Sequence, residues 1–150
     1  VANLFPEEEA AVEAAESGEN EVKFGSGVRF DYDAGEFVLT PTGRIAEAEG
    51  ADAWLEWCRK ALQTERYRYL VYSRNYGQEF ETLIGLGLSR SAVESEIMRI
   101  TTETLMTDPR TESVGNFAFD WQGDQCFFTC EARSVRDDSI VLQGSLVNAV

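Results

Sequence analysis

Two carboxylates facing each other across a cleft would suffice for glycoside hydrolysis, which asks for one acid of raised pKa and one ionised partner. Glu79, Glu81, Glu96 and Glu103 are the acids available for that role. Their neighbours select no pair. Glu96, Arg99 and Glu103 fall at i, i+3 and i+7, so on a helix Arg99 pairs with either carboxylate and keeps both ionised. Glu79-Phe80-Glu81 reads as a solvated edge. The chain has no histidine and no activated cysteine, which excludes a nucleophile served by an imidazole base. Gly85-Leu86-Gly87 lacks the Lys-Ser/Thr pair of a phosphate loop and reads as a hinge ahead of a helix. Zinc is equally unsupported, because Cys58, Cys126 and Cys130 form no Cys-x-x-Cys pair. Cys126 and Cys130 share one face of a predicted strand about 13 Å apart, beyond disulfide reach. All three thiols are read as buried apolar groups in a reducing cytoplasm. No cofactor and no metal is expected, and a two-carboxylate, lysozyme-like glycosidase stands as the alternative to a non-enzymatic role.

The 150 residues fit one domain with one substantial core, and 43% hydrophobic content supports a globular body. The net charge of −14 works against nucleic acid and anionic membrane as partners and points to proteins. No signal peptide or membrane-spanning run is recognised. Residues 1–50 hold 12 acids and 3 bases, and Glu7, Glu8, Glu9, Glu13, Glu16, Glu19 and Glu21 stand in a stretch without a single base. Residues 1–21 therefore read as an acidic arm and 22–150 as the folded domain. The arm is either a solvated linker or a spacer holding Leu4-Phe5-Pro6 as a hydrophobic anchor. Its charge sits off the body, which disfavours a nucleic-acid mimic.

Alternation over residues 28–39 predicts a β-hairpin closed by Asp33-Ala34-Gly35, followed by an acidic connector or helical turn over 44–50. Asp52 is a candidate cap for a helix carrying Trp54, Trp57, Cys58, Ala61 and Glu65 on one side, with both tryptophans in the core. Residues 66–73 alternate as a strand. Ser91 and Glu94 form a capping box for a long helix with Val93, Ile97 and Ile100 inward, widened by Met98 and Leu105, and stopped by Pro109. Three strands follow at 113–121, 125–135 and 139–147. The fold class is α+β, with two main helices packed on one face of a mostly antiparallel sheet.

Glu65-Arg66-Tyr67-Arg68-Tyr69-Leu70-Val71-Tyr72-Ser73, then Tyr76-Gly77, then a helix ended by Asp108-Pro109-Arg110, in that order, resemble a family of small baseplate proteins from contractile phage tails and related injection machines. These are the wedge subunits on which the sheath starts. The likeness is strongest from Trp54 to Phe119. The family's hallmark is Glu-Pro-Arg, and Asp108 here keeps the charge with one methylene less. The resemblance implies a structural subunit between the central helical bundle of the wedge and the first sheath ring, in a six-fold assembly. Its partners would be other wedge subunits and sheath protein. Its place would be a virion baseplate or tail-like particle built in a bacterial cytoplasm. It also implies contact roles for Asp108, Pro109, Arg110, Tyr76 and Gly77, and sheath attachment by strand exchange with sheath termini. Arg66, Tyr67 and Arg68 suit a protein interface by residue type, and Ile140 and Leu142 lie in a strand that is either a docking edge or an ordinary paired strand finishing the core. Spacing alone leaves Asp108 and Arg110 either as an internal pair or as a partner contact. The resemblance favours contact, in which case Arg110→Glu would shift the melting temperature little.

Overall fold

The computed structural model describes residues 21–147, so most of the acidic arm, Leu4-Phe5-Pro6 included, lies outside the described residues. The elements are β1 (Ser26–Val28), β2 (Phe30–Asp31), β3 (Glu36–Phe37), β4 (Glu47–Glu49), α1 (Ala51–Gln63), a 3-10 turn at Phe80–Leu83, α2 (Arg90–Met106), β5 (Thr111–Gln122), β6 (Gln125–Ser134) and β7 (Ser139–Val147). The architecture is α+β, as the sequence implied.

Strict alternation in β6 builds the centre. Cys126, Phe128, Cys130, Ala132 and Ser134 are buried, and β6 lies between β5 and β7 in an antiparallel meander. Both helices cover this one face. Trp54, Cys58 and Leu62 of α1 meet Cys130, Ala132 and Leu142, while Val93, Ile97 and Ile100 of α2 meet Cys126, Phe128 and Leu146. Fully burying such side chains stabilises the fold by about 1.5–3 kcal/mol each. Trp54, wholly buried, also donates its indole N–H to Thr111 Oγ1 at 3.0 Å, tying α1 to the start of β5.

The hairpin over Asp33-Ala34-Gly35 forms between β2 and β3, with Gly35 at φ 72°. Residues 44–50 are neither a connector nor a helical turn throughout, because β4 pairs with β1 and buries Ala48. The cap position of α1 is Gly50, and Asp52 instead pairs with Arg29 at 2.7 Å. Trp54 is core, whereas Trp57 is half-buried at the edge of the cluster. For α2 the cap is Ser89, whose hydroxyl accepts from Ala92 N–H at 3.2 Å. Glu94 closes no capping box there, because its carboxylate accepts the Trp121 indole N–H at 2.9 Å. Val93, Ile97, Ile100 and Leu105 face inward and Met98 faces solvent.

The largest departure is residues 66–73, which form no strand. Alternating Arg and Tyr mimic strand periodicity, but no strand among the described residues pairs with them. A parallel bridge between Glu65 and Gln78 pins the base of the loop, and Tyr67 turns it with φ 67°. Phe80, read as part of a solvated edge, is buried against Phe128 with ring centroids 5.7 Å apart.

Candidate interaction surfaces

The turn after α2 is wired internally. The Asp108 carboxylate accepts from the backbone N–H of Arg110 at 2.8 Å, and the Arg110 guanidinium returns to it through Nε at 2.9 Å and Nη2 at 2.7 Å. Nη1 donates to the Phe24 carbonyl at 2.7 Å, drawing the segment before β1 onto the turn. The two side chains are only 7% and 13% exposed. Of the two readings left open by the spacing, this geometry is the internal pair: every guanidinium nitrogen is engaged inside the chain. Pro109 lies between them on the exposed side.

From Arg110 a ladder of rings leads outward. Its guanidinium carbon lies 6.0 Å from the Trp57 ring, Trp57 meets Tyr76 edge-on at 5.7 Å, Tyr76 meets Tyr72 at 4.7 Å, and Tyr72 meets Tyr69 at 6.2 Å. Lys60 Nζ sits 5.0 Å over Tyr72. The Asp-Pro-Arg turn and the tyrosine loop, 40 residues apart in the chain, thus form one structure. Gly77 closes the loop at φ 101°, where a Cβ would stand 2.7 Å from the Thr64 carbonyl oxygen, so it is a packing requirement as well as a turn. Burial pushes the Tyr76 phenol up to about 12 against the opposing pull of the Thr64 hydroxyl. That hydroxyl is spent on the Lys60 carbonyl at 2.7 Å, and among the described residues neither the Tyr76 hydroxyl nor Arg66 Nε has a well-formed hydrogen bond. At the outer end Tyr67, Tyr69, Leu70 and Val71 are exposed, Leu70 completely at 104%. Arg66 pairs with Glu79 at 3.4 Å, and Arg68 pairs with Glu65.

A second surface is the outer side of β7, which pairs with no strand among the described residues. Ser134 N–H bonds the Asp138 carbonyl at 2.8 Å, which continues the register that pairs Arg133 with Ser139. Hydrogen-bonded pairs alternate in an antiparallel ladder, so Ile140, Leu142, Gly144 and Leu146 bond to β6 while Val141, Gln143 and Ser145 aim N–H and C=O outward. The bond from Val135 N–H to the Arg110 carbonyl at 3.0 Å agrees, since it assigns odd residues of β6 to β5. Ile140 and Leu142 therefore face the core and the ladder. Beside this edge runs an open groove of about 630 Å³ between the β2–β3 hairpin, α1 and β7, lined by Phe30, Tyr32, Val38, Arg59, Val141 and Gln143.

Among the described residues, the candidate acids are held by arginines rather than paired across a cleft. Arg99 holds Glu96 at 2.7 Å and Glu103 at 3.0 Å on the solvent side of α2. A hydrogen bond from Arg68 lowers Glu65, and the hydrogen bond with Glu65 raises Glu81. They touch each other on the open surface, however, where a glycosidase keeps its carboxyls about 5 Å or more apart across the substrate. Among the described residues no group of three potential metal ligands occurs, and no helix is long and apolar enough to cross a membrane.

The described residues thus form a small α+β body with edge strands β5 and β7 and one projecting aromatic loop. The family model for the contractile injection system sheath initiator matches residues 26–137, and the chain belongs to that family. It is 37% identical over 85 residues to the phage-like element PBSX protein XkdS of Bacillus subtilis (strain 168), an alignment covering 55% of this chain and 60% of that protein. The chain thus spans about three-fifths of that relative's length. Its fold is shared with a chain in the cryo-EM structure of the anti-feeding prophage (AFP) baseplate, 6-fold symmetrised, at TM-score 0.52 and 12% identity over 84% of this chain and 87% of that one. The family expected from the Tyr-rich segment and the Asp-Pro-Arg turn is the family found, and the lysozyme-like alternative receives no support.

Proposed function

We propose that this chain is a structural baseplate subunit that joins the wedge to the first sheath ring, receiving an extended sheath segment on the outward edge of β7. The observation that carries the reading is the parity of β7: Val141, Gln143 and Ser145 present a row of backbone groups, unpaired among the described residues, beside an open groove. Such an edge accepts an added strand, with the groove walls holding alternate side chains. The tyrosine loop, rich in the Tyr and Arg that anchor interfaces, is the face we assign to wedge subunits, with Tyr67 and Arg68 outermost and Arg66, Tyr76 and Gly77 supporting them. Asp108, Pro109 and Arg110 serve that contact indirectly, by fixing Trp57 beneath Tyr76. The particle would be six-fold and assembled from proteins made in a bacterial cytoplasm. Enzymatic activity has no part in this role.

Proline at Gln143 tests the edge. Its amide points outward and its side chain is exposed, so the substitution removes one docking donor and leaves the β6 ladder intact. The expected outcome is a folded variant that enters baseplates bearing tubes without sheath. Normal sheaths on particles carrying the folded variant would rule out β7 as the docking strand.

A further inference from the structure

We propose that the bulges in β5 close one edge of the meander, so that the sheet takes an added strand on β7 alone and copies of this chain do not string together β7 to β5. The two outer strands differ in regularity. From Ser139 to Val147, β7 pairs residue for residue with β6, and those nine residues include no charged side chain, no proline and no register shift. The other edge breaks register twice. Glu112 stands unmatched between the pairs Thr111–Ser134 and Ser113–Arg133, and Asn116 with Phe117 opposes Cys130 alone between the pairs Gly115–Glu131 and Ala118–Thr129. A long, flat, uncharged edge templates further strands, whereas bulges and charges turn an edge away from them.

Asn116 builds the second bulge. Its backbone is left-handed at φ 51°, which asparagine tolerates better than most residues, and its side-chain amide donates to Glu131 Oε2 at 2.7 Å on the neighbouring strand. Alternation gives the odd residues of β6 to β5, so Val114, Phe119 and Trp121 aim N–H and C=O away from the sheet, and the bulge interrupts this row between Val114 and Phe119. Removing Asn116 would seat Phe117 opposite Cys130 with Val114, Phe117, Phe119 and Trp121 still packed toward the helices, since no residue beyond the bulge changes parity. Ser113 to Gln122 would then run unbroken for nine residues, the length of β7. Two such edges on opposite sides of one sheet make a head-to-tail contact that does not close, and its product is a filament. Asn116 keeps the two edges unlike. The argument needs only the outward parity of β7 and not the identity of the segment docked there, which the Gln143→Pro particles test separately.

Sedimentation velocity and hydrogen exchange on the full chain test it. At about 100 µM, where a contact with a dissociation constant of about 10 µM is mostly filled, the chain lacking Asn116 should sediment as more than one copy while the parent sediments as a single copy. In those assemblies the amides of Val114, Phe119 and Trp121 and of Val141, Gln143 and Ser145 should exchange about tenfold more slowly or less. Adding Gln143→Pro to the deletion should return it to a single copy. A deletion chain that keeps the parent's circular dichroism and stays a single copy would overturn the proposal, and so would association that survives Gln143→Pro. A peptide of the β7 sequence, Ser139 to Val147, gives a reading on the parent that does not depend on how the deletion folds. In excess it should leave exchange at Val114, Phe119 and Trp121 unchanged; slower exchange there would mean that the bulged edge accepts a strand, and would overturn the proposal as well.

Discussion

Replacing Arg110 with alanine strips the Asp108 carboxylate of three charge-assisted hydrogen bonds and leaves it only the backbone N–H at position 110. The Phe24 carbonyl loses its donor in the same step. Because the pair is 7% and 13% exposed, solvent screens little of the loss. Breaking one side of a buried pair costs about 3–5 kcal/mol, chiefly by stranding the remaining charge. At about 2–4 °C per kcal/mol for a chain of this size, the melting temperature should fall by about 6–20 °C. Circular dichroism melts of Arg110→Ala, Asp108→Ala and the double variant form the assay. The double variant should lose less than the sum of the singles, since neither charge is stranded in it. A single Arg110→Ala variant melting within about 2 °C of the parent would refute the reasoning and return Arg110 to the surface-contact role that the sequence resemblance favoured.

Gly77→Ala should cost about 1–3 kcal/mol or more from its backbone conformation alone, with the Thr64 carbonyl clash added, measurable as a lower urea midpoint. Thr111→Val should lose about 1–3 kcal/mol by leaving the buried Trp54 indole N–H unpaired, read from the same unfolding curves. Burial raises the Cys58 thiol and pushes Cys130 up to about 11, so the folded chain keeps protons that the unfolded chain releases above about pH 8.5. The Cys130 contribution to stability should therefore be complete below that pH and fall between it and about 11, the Cys58 contribution falling on to higher pH, and Cys130→Ala should flatten the decline in an alkaline melting series.

The meander was legible because its alternation is strict: β6 repeats buried and half-buried positions without interruption over eight residues, and Trp121 to Asp124 and Arg136 to Asp138 announce the turns. The stripe of Val93, Ile97 and Ile100 was legible for the same reason. The tyrosine loop was not, because alternation of Arg and Tyr specifies a strand only where a neighbour offers a ladder, and none of the described strands does. Nor could spacing reveal that Arg110 is completed by Phe24, 86 residues away. Which backbone groups of β7 point outward depends on the pairing of Ser134 with Asp138, a register of turn closure that Ser-Ile-Val-Leu-Gln-Gly does not display. The helix caps were misplaced by two residues at each start because Gly50 caps with no side chain and Ser89 competes with Ser91.

Hydrogen exchange along β7 tests the central claim most directly, since it reads the edge amides themselves. In the isolated chain the amides of Val141, Gln143 and Ser145 should exchange far faster than those of Ile140, Leu142 and Leu146, which are tied to β6. In sheathed particles the first three should become as protected as the second. If they exchange as fast in sheathed particles as in the free chain, β7 carries no added strand and the sheath is seated elsewhere.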